Sequence, residues 1–371
     1  MKKVFCFLAV IVSFFLLSGC QSNSDDCLKI GLINPDRGEL GSYGEKIRRG
    51  ISIAEQEIKE RDLLNGRELK VYKRNTSGDS DKARKKVKSL IGNKNVKYII
   101  GEISSDATET ALNYTKTKGV FLFSPGAATP KLTGASELFA RNWPSNKSEA
   151  ISAAEFSYDV KGYRSAIIVY VNNEWGIGLK ENFEKHFGEK GGTIVGIEVY
   201  PYMNTDFRPL IIRLRNLQAD MLYLAGNQKE MGMFMKQYKE YHLEFPIIAN
   251  TSFLESDCLT LAGDAANGVI VPTPAYDPGS TASAKVKSFS DRYVEKYGTM
   301  PSLVDANGYD ALMMIVEAIN KVGDDPYAVA KYIRNLKNYE AAGGIESFED
   351  GDVIIENEFK IIKDGVAVPL K

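Results

Sequence analysis

Histidine is nearly absent: the 371 residues hold two, His186 and His242. Both stand in helix-end segments among charged residues. A Ser/His/Asp triad needs a histidine held beside a nucleophile, and neither position provides one. Cysteine is scarce as well, with four in the chain. Four in a chain of this length do not make a disulfide framework. No CxxC or Cys/His cluster marks a zinc site. Cys27 and Cys258 are therefore expected to be unpaired thiols. Neither sign of charge is in excess: 47 Lys and Arg stand against 48 Asp and Glu, for a net charge of −1. That balance gives no basic field for nucleic acid. The one basic cluster, Lys82 to Lys88, carries Ala83, Val87 and Leu90 at helical spacing and reads as the wet face of a helix. No Gly-x-Ser-x-Gly elbow and no Gly-x-x-x-x-Gly-Lys loop occurs. The first strand-to-helix loop, Asn34 to Gly44, lacks dinucleotide GxGxxG spacing, and Gly176-Ile177-Gly178 is only a fragment. No cofactor, no metal and no enzymatic activity are expected.

Long apolar runs are also missing, except one. Lys2 and Lys3 precede a mostly apolar stretch from Val4 to Leu17. A bilayer-spanning helix needs about 20 such residues, so this shorter run reads as the core of a secretory signal. It ends Leu17-Ser18-Gly19-Cys20, which resembles a bacterial lipobox. The resemblance implies cleavage after residue 19, acylation of Cys20 and loss of Cys6 with the signal. Gln21 to Asp26 is polar and reads as a tether. The expected location is extracytoplasmic, lipid-anchored to the bacterial membrane.

From Cys27 onward, strand and helix patterns alternate almost throughout. About 350 residues remain beyond the signal, more than one core usually holds, so two lobes are expected. Leu28 to Ile33 is a strand, and Ile47, Ile51, Ala54 and Ile58 mark one helix face. Strand and helix then repeat through a strand at Val120 to Phe123. Arg141 to Ser145 is irregular. A second series runs from a helix at Ile151 to a strand at Val269 to Val271. Pro272 to Pro278 is a clear break. Two or three long helices come next, then a strand-rich tail with a turn at Phe348 to Asp352. The alternation predicts doubly wound α/β sheets whose short strands are covered on both faces.

Several stretches, taken in order, resemble the leucine/isoleucine/valine-binding protein family, the type I periplasmic binding proteins of ABC importers. They are Leu28 to Ile33 with Gly41-Ser42-Tyr43-Gly44; Lys97 to Ser105; Phe123 to Thr133; Asp206-Phe207 before a helix; and Asn307-Gly308-Tyr309-Asp310-Ala311. The resemblance implies two Rossmann-like lobes joined by a three-segment hinge, with ligand in the cleft between them. It implies lobe 1 at residues 27–142 and 274–344 and lobe 2 at 143–273 and 345–371, after a signal at 1–19 and a tether at 20–26. Crossings are expected near Asn142 to Asn146, Pro272 to Pro278 and Gly344 to Phe348. The expected partners are a small-molecule ligand, an ABC permease and, through the lipid, the membrane; the chain is expected to be a monomer. An extracytoplasmic sensor of the same fold and a secreted α/β enzyme are the alternatives.

In relatives that bind amino acids, a serine after the third strand and backbone N–H groups after the fourth hold the ligand carboxylate. Ser105 and Gly126 to Ala128 occupy those places. The residues themselves agree: both segments end a strand and lead into a helix, where free N–H groups favour an anion. Ala128 falls where relatives carry threonine, with Thr129 one residue later. Trp175 and Asn227 replace family tyrosines, and Tyr43 comes from the first loop. Thr251 falls near the acidic residue that pairs with the ligand ammonium. A buried ammonium without a carboxylate is costly, so a small carboxylate-bearing or amide ligand is expected, with an ordinary aliphatic amino acid the alternative if Glu174, Glu255 or Asp106 supplies the charge.

Overall fold

The computed structural model describes residues 27–279 and 282–370. The signal segment, Cys20 and the tether lie outside the described residues. Among the described residues, no helix is long and apolar enough to cross a membrane. Cys27 and Cys258 are unbridged.

The chain opens with β1 (Cys27–Asn34), α1 (Gly41–Glu60), β2 (Glu68–Asn75) and α2 (Ser80–Lys94). β3 (Tyr98–Ile100), α3 (Ser105–Thr115), β4 (Phe121–Ser124) and β5 (Phe139–Arg141) continue the first lobe. The second lobe holds α4 (Asn146–Glu155), β6 (Ser165–Val171), α5 (Glu174–Glu189), β7 (Thr193–Tyr200) and α6 (Arg208–Leu214). β8 (Met221–Ala225), α7 (Gln228–Glu240), β9 (Ile247–Ala249), α8 (Ser256–Ala262) and β10 (Ile270–Pro274) complete its run. α9 (Ala284–Tyr297), α10 (Leu303–Val322), α11 (Pro326–Arg334), β11 (Tyr339–Ala341), β12 (Gly344–Glu349) and β13 (Asp352–Ile354) return to the first lobe. β14 (Asn357–Lys363) and β15 (Val366–Pro369) end in the second.

Two sheets result, ordered β11-β12-β13-β5-β4-β3-β1-β2 and β15-β14-β10-β9-β8-β6-β7. The five strands β1 to β5 pair in parallel, and so do β6 to β10. Each set therefore runs second, first, third, fourth, fifth from its β2- or β7-edge. In such sheets ligands lie beyond the carboxyl ends of the strands, where the order reverses. The central strands are apolar on both faces; Ile30, Tyr98, Ile100, Phe121 and Phe123 of the first sheet are fully buried. Helices α1 and α10 cross closely over this core. A methyl on Gly50 would sit 1.9 Å from the Asp305 carbonyl oxygen, so only glycine allows the approach.

Two features differ from the sequence expectations. Helix starts come earlier than apolar spacing suggests: α3 at Ser105 rather than Thr108, and α4 at Asn146 rather than Ile151. Their first turns are largely polar and capped; the Ser104 hydroxyl accepts the Ala107 N–H at 3.4 Å. The third crossing also comes later than Gly344 to Phe348. β12 and β13 pair with each other, and β13 joins β5 through Asp352 beside Arg141. The first lobe thus runs on to Ile354 rather than ending at residue 344. The cause is packing, because Phe348 and Val353 are buried in the first core.

Candidate functional site

The carboxyl ends of both sheets face one cavity of about 730 Å³. Its walls come from the loops at the strand ends. The first lobe supplies Leu40 after β1, Ser77 to Asp79 after β2, Ile103 and Ser104 after β3, and Pro125 and Gly126 after β4. The second supplies Asn173 after β6, Tyr202 after β7, Asn227 after β8, and Thr251 and Ser252 after β9. The helix starts at Ser80, Ser105 and Trp175, the crossing residue Trp143, and Glu149 in the first turn of α4 complete most of the wall. The sequence has two tryptophans, and both line this cavity.

Six of the eight expected ligand residues come together here: Tyr43, Ser105, Gly126, Trp175, Asn227 and Thr251. Ala128 and Thr129 do not reach the wall and are buried behind it. Arg141 holds their loop from beneath. Its side chain is fully buried, and its Nη1 donates to the carbonyls of Ala127 at 3.1 Å and Thr129 at 2.8 Å. The same guanidinium pairs twice with Asp352 at 2.7 Å. The Thr129 N–H is spent on the Ser105 hydroxyl at 3.2 Å. A hydroxyl that accepts one bond still has its own proton to give.

Beneath the loop after β3 lies Glu102, fully buried. Its carboxylate accepts the N–H groups of Ile103 at 2.7 Å and Ser104 at 2.8 Å, and the Thr76 hydroxyl. Burial outweighs those bonds and lifts it to about 7. Glu102 fixes the backbone that presents Ser104 and Ser105 to the cavity.

The lobes touch each other across two rims. On one, the Lys46 ammonium meets Glu255 at 2.7 Å and the Tyr43 hydroxyl lies 3.3 Å from that of Ser252. The Gln228 amide donates to the Glu39 carbonyl at 2.6 Å on the same side. On the other, Lys131 pairs with Glu174, and the Glu174 N–H goes to Asp106. Of the two glycines of the Gly176-Ile177-Gly178 fragment, Gly176 packs on β6 of its own lobe and Gly178 faces this rim. A methyl on Gly176 would strike the Val171 carbonyl at 2.2 Å, and one on Gly178 would press Pro130 of the first lobe at 2.9 Å.

Sequence reasoning missed Trp143, Tyr202, Ser252 and Glu149. Glu149 matters most. It lies in the first turn of α4, 8% exposed, and one of its oxygens accepts both the N–H and the hydroxyl of Thr251, the latter at 2.7 Å. Burial raises it to about 7, against the pull of those two bonds. The three acids expected to be able to supply the charge are engaged elsewhere: Glu255 by Lys46, Glu174 by Lys131, and Asp106 by the Glu174 N–H. No signal in the sequence marked Glu149, because apolar spacing starts the helix at Ile151, two residues beyond it.

The model of a periplasmic binding protein family matches residues 28–361. The chain belongs to that family. This periplasmic binding protein is 24% identical over 360 residues to a leucine-, isoleucine-, valine-, threonine- and alanine-binding protein of Pseudomonas aeruginosa, covering 95% of each. It superposes on the leucine-binding protein LivK of Thermotoga maritima with a TM-score of 0.86, at 24% identity, over 93% of this chain and 98% of that one. An ABC transporter solute-binding protein of R. palustris in complex with benzoate superposes with a TM-score of 0.82, at 19% identity, over 93% and 95% of the two chains. Relatives of one fold thus hold aliphatic and aromatic ligands.

Proposed function

We propose that this periplasmic binding protein is the substrate-binding lipoprotein of an ABC importer. It captures a small amino-acid-like, carboxylate-bearing or amide metabolite between its lobes and delivers it to a permease. The observation that carries this reading is the convergence of both sheets' carboxyl ends on one cavity between the lobes. Its walls combine hydroxyls and helix starts on one lobe with an indole on the other. In the first lobe, the Ser105 hydroxyl at the start of α3 receives the ligand's anionic end, and Gly126 lets the ligand approach the backbone. Backbone N–H groups at a helix start suit a carboxylate. From the second lobe, the Trp175 ring covers the apolar part as the lobes close; a buried indole contributes on the order of 150–250 Å² of contact. Tyr43 and Asn227 flank it. Ala128 and Thr129 act through the shape of the loop that carries Gly126.

Family membership supports a place of work outside the cytoplasm. The lipobox at Leu17 to Cys20 supports an anchor on Cys20, which keeps the receptor beside its transporter. Closure of two lobes around a ligand is a hinge transition, and the paired rims are the surfaces that make it.

The test uses the two cavity tryptophans. Purified soluble protein from residue 21 onward is titrated with amino acids, small carboxylates and amides, following indole emission and melting temperature. A ligand stabilises the state it binds by mass action, so a true ligand shifts both signals together. Absence of any shift across the panel contradicts the receptor reading. Uptake of the identified ligand by cells with and without the gene then tests delivery, and mass spectrometry of the Cys20→Ser protein tests the anchor.

A further inference from the structure

The basic run on α2 has no part in the cavity beyond Lys82 at its wall. Ala83, Val87 and Leu90 hold that helix to the first lobe, and Arg84, Lys85 and Lys88 stand exposed on its outer side. Lys86 and Lys94 are half-buried beside them. Among the described residues, Arg84 pairs with Asp81 at 3.0 Å, while Lys85, Lys86, Lys88 and Lys94 pair with no acid. In the second lobe, cations and acids are interleaved. Lys180 and Lys185 pair along α5 with Glu184 and Glu189, Lys190 pairs with Asp159, and Lys229 with Asp257. A chain of net charge −1 thus gathers uncompensated positive charge on one side of one lobe.

A charged helix face is ordinarily just wet. Two observations set this one apart. The first is crowding of like charges across three elements. The ammonium groups of Lys88 and Lys118 lie 5.4 and 5.8 Å from the centre of the Tyr114 ring, and those of Lys94 and Lys70 lie 5.4 and 5.9 Å from that of Tyr72. A ring attracts each cation, but two cations at one ring repel each other. Anionic groups placed beside them relieve that repulsion. The second observation is position. Cys27, Lys29 and Arg67 share one small cavity with Asn95 and Lys97, which directly follow α2. Lys29 and Lys70 are also partners in the β1–β2 pairing. The end of α2 therefore stands beside the point where the chain enters the first sheet. From Cys20 to Cys27 the backbone spans at most about 25 Å, so a lipid on Cys20 holds this side of the lobe close to the bilayer.

We propose that the α2 side of the first lobe, from Lys85 to Lys94 with Lys70 and Lys118, is a docking surface for a membrane rich in anionic phospholipid. The recognising groups are the lysine ammoniums, and their partners are headgroup phosphodiester oxygens. This rests on the anchor reading above and goes beyond it. The lipid sets how far the receptor can stray, and the patch sets which side of it lies on the bilayer. Attraction of this kind reaches only about 8 Å at physiological salt, which is why the short connection to Cys20 matters. Every member of the patch belongs to the first lobe. That lobe is held, and the second is left free to swing as ligand enters and leaves.

The experiment uses protein from residue 21 onward, which keeps the whole described fold and carries no lipid. It is sedimented with vesicles of phosphatidylcholine containing roughly one-third phosphatidylglycerol, and with vesicles of phosphatidylcholine alone, at about 50 mM and about 0.5 M salt. A patch variant carries Lys85→Gln, Lys88→Gln, Lys94→Gln and Lys118→Gln. A control variant makes the same change of net charge on the second lobe, with Lys161→Gln, Lys185→Gln, Lys236→Gln and Lys239→Gln. Circular dichroism shows that each folds. Wild type is expected to bind the anionic vesicles at low salt, to release them at high salt and to ignore the neutral ones. A lysine near an anionic surface contributes about fivefold in binding, so the patch variant is expected to bind at least about 50-fold more weakly. The control variant is expected to stay within a few-fold of wild type. Equal losses in the two variants overturn the proposal, because net charge and not this face would then be responsible. So does wild type that ignores anionic vesicles at low salt or binds neutral ones equally well. Each of these results leaves the receptor and anchor readings standing, since mass spectrometry decides the anchor separately. Should the fourfold variant fail to fold, Lys85→Gln with Lys88→Gln replaces it, with a loss of about tenfold or more expected.

Discussion

Arg141 and Asp352 form a two-pronged ion pair at 2.7 Å although 211 residues separate them. One sits at the end of β5 and the other at the start of β13, and both are buried. The pair ties the late tail of the first lobe to the loop that carries Gly126.

Replacing Asp352 with alanine leaves the Arg141 charge buried without its partner. The expected cost is about 3–5 kcal/mol, read as a lower midpoint in chemical denaturation. Ligand affinity should fall too, since the Ala127 and Thr129 carbonyls lose their fixed donor. A variant as stable as wild type contradicts the structural role given to the pair.

Ser105→Ala removes a hydroxyl from the anionic end of the proposed site. Losing a hydrogen bond to a charged group costs about 1.5–3 kcal/mol, or roughly 10- to 150-fold in affinity. Calorimetry on the identified ligand checks this. Unchanged affinity would remove Ser105 from the site and leave it as the partner of the Thr129 N–H.

Gly178→Val tests closure without touching the cavity. Its first added carbon would already lie 2.9 Å from Pro130 across the lobe boundary. Affinity is expected to fall at least about tenfold while circular dichroism stays native, because closure contributes differential binding free energy. Small-angle scattering with ligand should show a larger radius than for wild type. Full affinity would mean that this rim can part without loss.

Stability of the protein without ligand should decline from pH 5 to pH 8. Glu102, Glu149, Glu230 and Asp310 are each lifted to about 7 by burial, from ordinary values of 4.5 for glutamate and 3.8 for aspartate. Their folded-state values exceed the unfolded ones, so the stability they contribute is complete below the unfolded values. It is lost as pH rises through 7. Acids held low by partners, such as Asp324 beside Arg67, act in the opposite sense, at pH values below that window. Scanning calorimetry should show several degrees of decline, less steep in Glu149→Gln; a rising melting temperature would contradict the assignment.

The order of strands and helices was legible in the sequence because covered parallel strands are short apolar runs and the helices have apolar faces at regular spacing. The strand β5 was not, since Phe139-Ala140-Arg141 is three residues long and ends in a buried charge. Ser105 and Gly126 could be placed from their strand ends alone. Glu149 could not, because its meaning depends on Thr251, which lies 102 residues away in the chain. Ala128 and Thr129 were displaced from the wall by Arg141, whose partner Asp352 no local pattern announces.

The tail divides between the two sheets: β13 joins the first, and β14 and β15 close the edge of the second. Neither sheet is whole until the last few dozen residues are present. A chain made and exported from its N-terminus forward therefore cannot settle either lobe early. Arg141 waits for Asp352, and β10 waits for β14. Completion of the fold is postponed to the end of the chain, which favours a loose, threadable state while the polypeptide is still in transit.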